Sequence, residues 1–345
     1  MKKIRVFIVE DSILMQKVIA DILSADSEIE IIGTTKYGQE ALTKIAQLLP
    51  DIVTLDVNLP DMSGLLVLEQ LMRERPTRVV MLSAYTQKGA ETAIKALELG
   101  ALDFIPKPSG EVSLDLYNFR DEIIAKIKEL AQVSPKVPFV FKNFYREKET
   151  APANKVVVIG ASTGGPKAIM DLMSQMPADT GVNFLIVQHM PKGFTRSFAD
   201  RLSWYSGVRC KEAEDNDLLL ENVAYVAKSG QHMVVEKASR EKKTYCLRLD
   251  DTPLVNYVKP AVDVTMGSLA DCFDGKIIAV ILTGMGKDGL EGCRKIKQKG
   301  GKIIVQDEHS SVVYGMPKCV AQEGLADCIL PISDIPGKIM EYLHE

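Results

Sequence analysis

Ser162 lies in a glycine-rich stretch that could carry a catalytic hydroxyl. In KVVVIGASTGGPKAI, residues 155–169, an apolar run ends at Gly160 and a G-x-S-x-G pattern follows. That pattern is typical of a tight strand-to-helix turn that exposes a serine as a nucleophile. The same turn could instead bind a phosphate at the helix N-terminus, or be only a structural corner. The motif alone leaves all three interpretations open.

A serine nucleophile needs a base, and the chain has four histidines from which to choose. His189 directly follows the apolar run FLIVQ, so we expect it at the same carboxyl edge of a sheet as Ser162. His344 is the penultimate residue and is expected in a tail, and His309 lies in the loop DEHSS. His232 precedes the strand MVVEK and is expected at the amino end of a strand. His189 is therefore the candidate base, although a packed or capping histidine is the simpler alternative.

Asp288 follows a third apolar strand and a glycine-rich turn, in the segment KIIAVILTGMGKDG. An aspartate at the start of a helix is commonly an N-cap. At an edge that also carries a serine and a histidine, it could orient the histidine instead. The chain order Ser, His, Asp differs from the Ser, Asp, His order of α/β-hydrolases, so a triad here would belong to a different sheet topology.

Five polar residues in the first third of the chain also stand at the ends of apolar runs. Carboxyl ends of parallel strands share one edge, where three carboxylates repel one another unless a cation such as Mg²⁺ joins them. A carboxylate nucleophile, a metal and donors for phosphoryl oxygens together predict an aspartyl phosphate site. Helix caps or solvated loop residues are the alternative for each residue taken singly. The five are Glu10, Asp11, Asp56, Ser83 and Lys107.

The elements that must position these residues alternate regularly between strand and helix, which predicts two doubly wound parallel α/β sheets. In the first series, strands are expected at 4–9, 30–33, 51–55, 78–83 and 103–106, and helices at 13–25, 38–48, 64–74, 88–99 and 115–131. In the second, strands are expected at 155–160, 183–188, 208–213, 223–227, 233–237, 245–249, 276–283 and 302–306. Its helices are expected at 166–176, 194–204, 263–273, 287–299, 315–323 and 334–343. The region 208–250 is expected to form hairpins on the sheet edge.

A segment with three prolines and no helical period separates the two series. It predicts a linker at 132–153 between domains at 1–131 and 154–345. The linker carries several aromatic residues, which we expect to pack on a domain surface.

Composition narrows the class of protein. The 345 residues are 46% hydrophobic and 26% charged, with a formal net charge of −4 and no basic block, which argues against nucleic acid as a partner. No apolar run approaches the roughly 18 residues of a membrane helix, and no signal-peptide pattern follows the first lysines, so a cytoplasmic protein is expected. The six cysteines are scattered without a C-x-x-C pair, which favours reduced core cysteines over zinc or disulfides.

Residues 1–130 resemble a response-regulator receiver domain, because VEDS, LDVNLPDMSG, MLSA and DFIPKP stand in the order of that family. The resemblance implies a flavodoxin-like fold in which Asp56 accepts a phosphoryl group from a histidine kinase. It also implies that Glu10 and Asp11 help Asp56 to bind Mg²⁺, with Glu10 standing where many members have aspartate. The family positions that would contact or respond to the phosphoryl group are Ser83, Phe104 and Lys107.

Residues 155–345 resemble the catalytic domain of the chemotaxis-receptor methylesterases, because GASTGG, VQHMPKGFT, LTGMGKDG and SVVYGMP stand in family order. The resemblance implies a Rossmann-like domain with Ser162 as nucleophile, His189 as general base and Asp288 as orienting acid. The backbone at Met285, with help from Thr163, would form the oxyanion hole. The stretch KPAVD also matches, and its Asp263 is expected to have only a structural or rim role.

The two resemblances imply one activity under one control. The substrate would be a glutamate γ-methyl ester of a chemoreceptor, with glutamine deamidation by the same triad and no metal in that step. A further hypothesis is that the unphosphorylated receiver covers the Ser162 edge and that phosphorylation releases it.

Three alternative functions for the second domain are a DNA-binding output domain, a phosphate- or nucleotide-binding module, and an esterase for small esters. Balanced charge over 154–345 and the absence of Walker spacing argue against the first two.

Overall fold

The computed structural model describes residues 3–84, 86–107, 114–133, 151–238 and 244–345. The chain divides into two compact units, Met1–Val140 and Phe141–Glu345. Most of the predicted linker, 134–150, lies outside the described residues, as do its aromatic side chains. The domain boundaries 1–131, 132–153 and 154–345 therefore stay predictions.

The first unit contains a five-stranded parallel sheet in the order β2-β1-β3-β4-β5. Its strands are β1 Ile4–Val9, β2 Ile29–Thr35, β3 Ile52–Asp56, β4 Val79–Ala84 and β5 Asp103–Lys107. Its helices are α1 Ile13–Ser24, α2 Gly38–Leu48, α3 Gly64–Glu74, α4 Gln87–Glu98 and α5 Arg120–Leu130. Every residue of β3 is buried, as expected for a central strand covered on both faces. This strand order is the flavodoxin-like one.

The helix predicted at 115–131 is α-helical only from Arg120, because Leu114–Phe119 forms a 3₁₀ helix. Asp121 and Glu122 stand in the first turn of α5, where carboxylates interact favourably with the positive end of the helix dipole. The two carboxylates therefore favour a start of the α-helix at Arg120.

The second unit contains a seven-stranded, fully parallel sheet and a separate two-stranded antiparallel sheet. The strands are β6 Lys155–Ala161, β7 Asn183–Gln188, β8 Arg209–Glu212, β9 Val223–Val226, β10 His232–Lys237, β11 Tyr245–Asp250, β12 Lys276–Ile281, β13 Lys302–Gln306 and β14 Cys328–Leu330. The helices are α6 Gly165–Met173, α7 Phe194–Tyr205, α8 Val262–Cys272, α9 Leu290–Gln298, α10 Met316–Gln322 and α11 Ile335–His344. The large sheet has the order β14-β13-β12-β6-β7-β9-β8. The predicted fold class, two parallel-sheet α/β domains, is confirmed.

Three local predictions in the second unit were wrong. β8 and β9 extend the parallel sheet, whereas β10 and β11 pair with each other in the antiparallel sense as a sheet of their own. Helix α9 begins at Leu290 rather than 287, because Gly289 precedes it with φ 94°. His344 ends α11 and is not part of a tail. Sequence reasoning also missed β14, whose three residues are too few to show an apolar period.

The core of the second unit lies between the sheet and the helices on its faces. β6 and β7 are almost entirely buried, and the loops at their carboxyl ends begin with polar residues. No helix among the described residues combines the length and apolarity needed to cross a lipid bilayer. The candidate functional residues of each unit therefore follow the carboxyl ends of strands, at one edge of its parallel sheet.

Candidate active site and phosphorylation site

The three candidate triad residues follow three adjacent strands. β6 lies between β7 and β12 in the sheet. Ser162 directly follows β6, His189 directly follows β7, and Asp288 lies in the loop between β12 and α9. All three therefore lie at the carboxyl edge, with the serine in the middle.

The turn at Ser162 is held by its backbone. The Ser162 N–H donates to the Thr283 carbonyl at 3.0 Å, and its carbonyl accepts from the Gly165 N–H at 2.8 Å. Gly164 has φ 73°, and a Cβ there would lie 2.5 Å from the Cβ of Val312, so only glycine fits. Within the described ranges, the Ser162 hydroxyl makes no hydrogen bond, which leaves it available for a base and a substrate.

His189 meets Asp288 through one particular ring nitrogen. Its Nε2 lies 2.8 Å from Asp288 Oδ2, and both side chains are largely withdrawn from solvent. The His189 backbone N–H donates to the Ala161 carbonyl at 3.1 Å, which fixes the residue next to β6. Nε2–H donating to a carboxylate leaves Nδ1 as the nitrogen that can accept a proton.

Asp288 does more than contact His189. Its carboxylate accepts from the backbone N–H groups of Val262, at 2.7 Å, and Asp263, at 3.1 Å, the first residues of α8. It therefore caps α8 from a distant loop, whereas the cap position predicted for it, at the start of α9, is occupied by Gly289. Burial alone would raise the pKa of Asp288, but the hydrogen bond and charge of His189, with these amides, lower it below its ordinary value.

Asn256 bridges Asp288 to a second carboxylate. Its Nδ2 donates to Asp288 Oδ1 at 2.9 Å and to Asp263 Oδ2 at 2.7 Å. Asp263 Oδ1 accepts in turn from the Gly292 N–H at 2.8 Å. Burial, and then the charge of Asp288, raise the pKa of Asp263. Sequence reasoning missed Asn256, for which the only signal was a polar residue shortly before the KPAVD stretch.

Gln188 ties the serine and the histidine together. Its Nε2 donates to the carbonyls of Ser162 and His189, at 2.9 Å each. The side chain is buried, and its Oε1 has no hydrogen-bond partner among the described residues. Sequence reasoning missed this role, although a glutamine that ends a buried strand beside His189 was a usable signal.

The turn after β12 packs directly against Ser162. The Gly284 carbonyl accepts from the Met316 N–H at 2.8 Å, and a Cβ on Gly284 would lie 2.9 Å from Ser162 N. In the part of the chain that the structure describes, the N–H groups of Met285 and Thr163 donate to no acceptor. An oxyanion hole requires unpaired amides near the nucleophile, and these two amides lie next to the candidate nucleophile in the chain and in the turn packed against it.

The remaining histidines lie elsewhere. His232 is fully buried at the start of β10, where Nε2 contacts the Pro253 carbonyl at 3.0 Å and Nδ1 accepts from the Ala261 N–H at 3.1 Å. It holds the loop that carries Asn256 and leads into α8. His309 is exposed in the loop after β13.

In the first unit, a lysine joins two buried carboxylates at the carboxyl edge. Lys107 Nζ lies 2.9 Å from Asp56 Oδ1 and 3.1 Å from Glu10 Oε2. Burial, followed by the charge of Asp56, raises the pKa of Glu10 to about 8, and burial also raises the pKa of Asp56. Burial alone would lower the pKa of Lys107, but the two carboxylates raise it above its ordinary value.

The carboxylates of the first unit form a donor set that suits a hard divalent cation. One oxygen each of Glu10, Asp11 and Asp56 lie within 4.8 Å of one another, and Asp56 Oδ2 is buried without a hydrogen-bond partner among the described residues. Oxygen ligands and an unpaired buried carboxylate oxygen fit Mg²⁺. Ser83 is buried and donates to the Gly89 carbonyl at 2.7 Å, and Phe104 is buried as well.

The sequence matches two known families in separate regions. It matches the CheB methylesterase family over residues 157–339 and the response regulator receiver domain family over residues 6–116. A protein-glutamate methylesterase/protein-glutamine glutaminase of Pyrococcus horikoshii is 42% identical, over 99% of this chain and 94% of its own length. One of Thermotoga maritima is 41% identical, over 99% of this chain and 98% of its own.

A solved structure supports the same relationship for the second unit. The crystal structure of the Thermotoga maritima CheB methylesterase catalytic domain aligns with 55% of this chain and 99% of its own, at 42% identity and a TM-score of 0.53. Both relatives align with this chain over nearly the full length of each, so the similarity spans both matched regions. The chain is therefore an enzyme of the CheB methylesterase family, with a response regulator receiver domain preceding its catalytic domain.

Proposed function

We propose that this enzyme hydrolyses γ-methyl esters of glutamate residues in chemoreceptors, and deamidates receptor glutamines, with a Ser162-His189-Asp288 triad. The observation that carries the proposal is the 2.8 Å contact between His189 Nε2 and Asp288 Oδ2, at the strand end next to Ser162. A histidine oriented by a carboxylate beside a free serine hydroxyl is the equipment of acyl transfer. Residues 154–345 would form the catalytic domain.

In the first half of the reaction, Ser162 Oγ attacks the ester carbonyl carbon and its proton passes to His189 Nδ1. The negative charge on the carbonyl oxygen is stabilised by the N–H groups of Met285 and Thr163, an interaction worth about 3 kcal/mol per donor. The C–O bond to the methoxy group then breaks, and His189 returns the proton so that methanol leaves. Ser162 retains the glutamyl acyl group as an ester.

In the second half, water attacks that acyl group. His189 Nδ1 accepts one proton from the water and returns it to Ser162 Oγ as the acyl–oxygen bond breaks. The products are a glutamate side chain and the free serine. With a glutamine substrate, ammonia replaces methanol and the acyl-enzyme is the same. The ionised Asp288 stabilises the imidazolium in both halves.

The N-terminal receiver, residues 1–131, is proposed to control this activity. Asp56 would accept a phosphoryl group from a histidine kinase, and Lys107 would pair with it instead of with the free carboxylates. Bound Mg²⁺, held by Glu10, Asp11 and Asp56, would neutralise charge on the transferred group. The buried, unpaired Asp56 Oδ2 supports this assignment. Phosphorylation is then expected to raise the esterase activity.

The test measures methanol released from methyl-esterified chemoreceptor fragments by the full chain. Wild type and Ser162→Ala are compared, each with and without a small acyl phosphate and Mg²⁺. We expect release by wild type, more of it with the phosphoryl donor, and none by Ser162→Ala. Release that survives in Ser162→Ala would contradict the triad and favour a structural or phosphate-binding role for the GASTGG turn.

A further inference from the structure

A tight turn stands beside the candidate triad and contributes little to the core. Val255 and Val258 exchange two backbone hydrogen bonds, of 3.3 and 3.0 Å. Between them, Asn256 and Tyr257 both have positive φ, 54° and 64°. Two successive left-handed residues are typical of a type I′ turn, in which glycine or asparagine is usual and tyrosine is not. A tyrosine held in this conformation needs strong support from its surroundings.

That support comes from side-chain hydrogen bonds on both sides of the turn. Asn256 Nδ2 donates to Asp288 Oδ1 at 2.9 Å, which connects the turn directly to the triad. Lys259 Nζ closes the loop on the other side through the Thr252 carbonyl at 2.9 Å and Asp251 Oδ1 at 3.0 Å. The turn is thus fixed relative to Asp288 rather than free to move.

The turn presents two large apolar side chains to solvent. Tyr257 is 95% exposed and Leu254 is 60% exposed. Tyr257 is adjacent in the chain to Asn256, whose partner Asp288 also contacts His189. A strained, anchored tyrosine gains nothing from this exposure in the isolated molecule. Tyrosine and apolar side chains in such positions are typical of contacts with another macromolecule.

Two lysines add positive charge at the same edge. Lys192 lies in the loop after His189, and Lys287 lies beside Asp288. Both are exposed, and neither forms an ion pair with any residue within the described ranges. They complement a partner that carries carboxylates.

We propose that the turn at Leu254–Val258, together with Lys192 and Lys287, docks the receptor segment that carries the esterified glutamate, and that this segment is acidic and presents apolar side chains. This inference rests on the proposed function. Tyr257 and Leu254 contact apolar side chains of the segment, and the lysines contact its free carboxylates. A side-chain ester reaches Ser162 only if its backbone crosses this edge, so these residues determine which segments are substrates.

The first experiment compares two substrates of the full chain, a methyl-esterified receptor fragment and p-nitrophenyl acetate. Tyr257→Gly preserves the positive φ and removes the ring, and Tyr257→Phe keeps the ring. We define the specificity ratio as kcat/KM for the receptor fragment divided by kcat/KM for p-nitrophenyl acetate. We expect Tyr257→Gly to lower this ratio about tenfold, mainly by raising KM for the receptor fragment. Tyr257→Phe should keep most of the ratio. Trp204→Ala, which removes a 63% exposed aromatic at the far end of α7, should leave it at the wild-type value.

The second experiment tests the charges. Lys287→Glu should raise KM for the receptor fragment several-fold at low ionic strength, and added salt should shrink the difference. The matched control is Lys299→Glu, at the opposite end of α9. Equal effects of the two reversals would overturn the role of Lys287.

The outcomes separate the docking surface from the proposed function. If the wild type releases methanol and Tyr257→Gly has the wild-type ratio of kcat/KM values, the docking surface is overturned and the proposed function is kept. Absence of any wild-type release overturns the proposed function and the docking surface with it. Release with a lowered ratio in Tyr257→Gly, and not in Trp204→Ala, supports both.

Discussion

His189 contacts Asp288 through Nε2, at 2.8 Å, which in the proposed triad leaves Nδ1 to accept the proton of Ser162. In the chymotrypsin-type triad the roles of the two ring nitrogens are reversed. His189 is the first residue after β7, and its backbone N–H donates to the Ala161 carbonyl of β6 at 3.1 Å, which fixes the residue beside Ser162.

Replacing Asp288 should damage catalysis much more than replacing its neighbour. In Asp288→Asn, the amide cannot stabilise the imidazolium, so we expect kcat for methanol release to fall by about 10³ to 10⁴ with little change in KM. Asp263→Asn is the control, because Asp263 contacts Asn256 and Gly292 rather than His189. Equal losses of kcat in the two variants would contradict the assigned roles.

Asp288 should also make stability depend on pH. Its folded-state pKa lies below the ordinary value of 3.8, so the stabilisation is present above pH 3.8 and is lost as pH falls through the folded pKa. We expect urea denaturation to show the largest difference in unfolding free energy between wild type and Asp288→Asn at neutral pH. That difference should shrink below pH 3.8. A difference that grows with acid would show that the carboxylate is not stabilised in the folded state.

Gln188 should prove to be a positioning residue. In Gln188→Glu the side chain keeps its shape but can no longer donate to the carbonyls of Ser162 and His189. We expect kcat to fall about tenfold to a hundredfold for receptor and small esters alike, because displacement of either residue affects both. Steady-state kinetics with both substrates give the comparison. A change confined to KM would point to substrate contact instead.

Gly164 should tolerate no side chain. Gly164→Ala combines a φ of 73° with a Cβ placed 2.5 Å from Val312, so we expect a loss of more than about 2 kcal/mol in stability together with loss of activity. The matched control is Gly300→Ala, where φ is 79° and no atom lies within 4 Å. That change carries only the backbone strain, about 1 kcal/mol. Thermal denaturation and methanol release are measured for both variants. A larger loss in Gly164→Ala than in Gly300→Ala measures the steric clash with Val312 beyond the backbone strain that the two variants share.

The receiver site should make activation depend on one carboxylate and on divalent cation. We expect Asp56→Asn to lose all stimulation by an acyl phosphate, and EDTA to remove the stimulation of wild type. The readout is the ratio of methanol release with and without the phosphoryl donor. Stimulation that persists in Asp56→Asn would place the phosphoryl group on another residue.

Much of the fold was predictable because apolar periodicity is local. β1, α2, α3, β7 and β13 have the bounds that their patterns predict. The sequence also shows that polar residues end several neighbouring strands. Because parallel strands share an edge, this is enough to group Ser162, His189 and Asp288 before any coordinates are known.

The remaining features depend on partners that are distant in the chain. Asp288 caps α8, which begins 26 residues earlier in the chain, and Gln188 binds the carbonyl of a residue 26 positions away. No local sequence pattern indicates such contacts. It also does not show which ring nitrogen of His189 faces Asp288, or that Asn256 donates to two carboxylates. The sequence by itself determined most of the elements, the family and the candidate triad and receiver residues. Only the tertiary structure decided their hydrogen-bond partners and the exposed turn beside them, because packing between distant segments sets both.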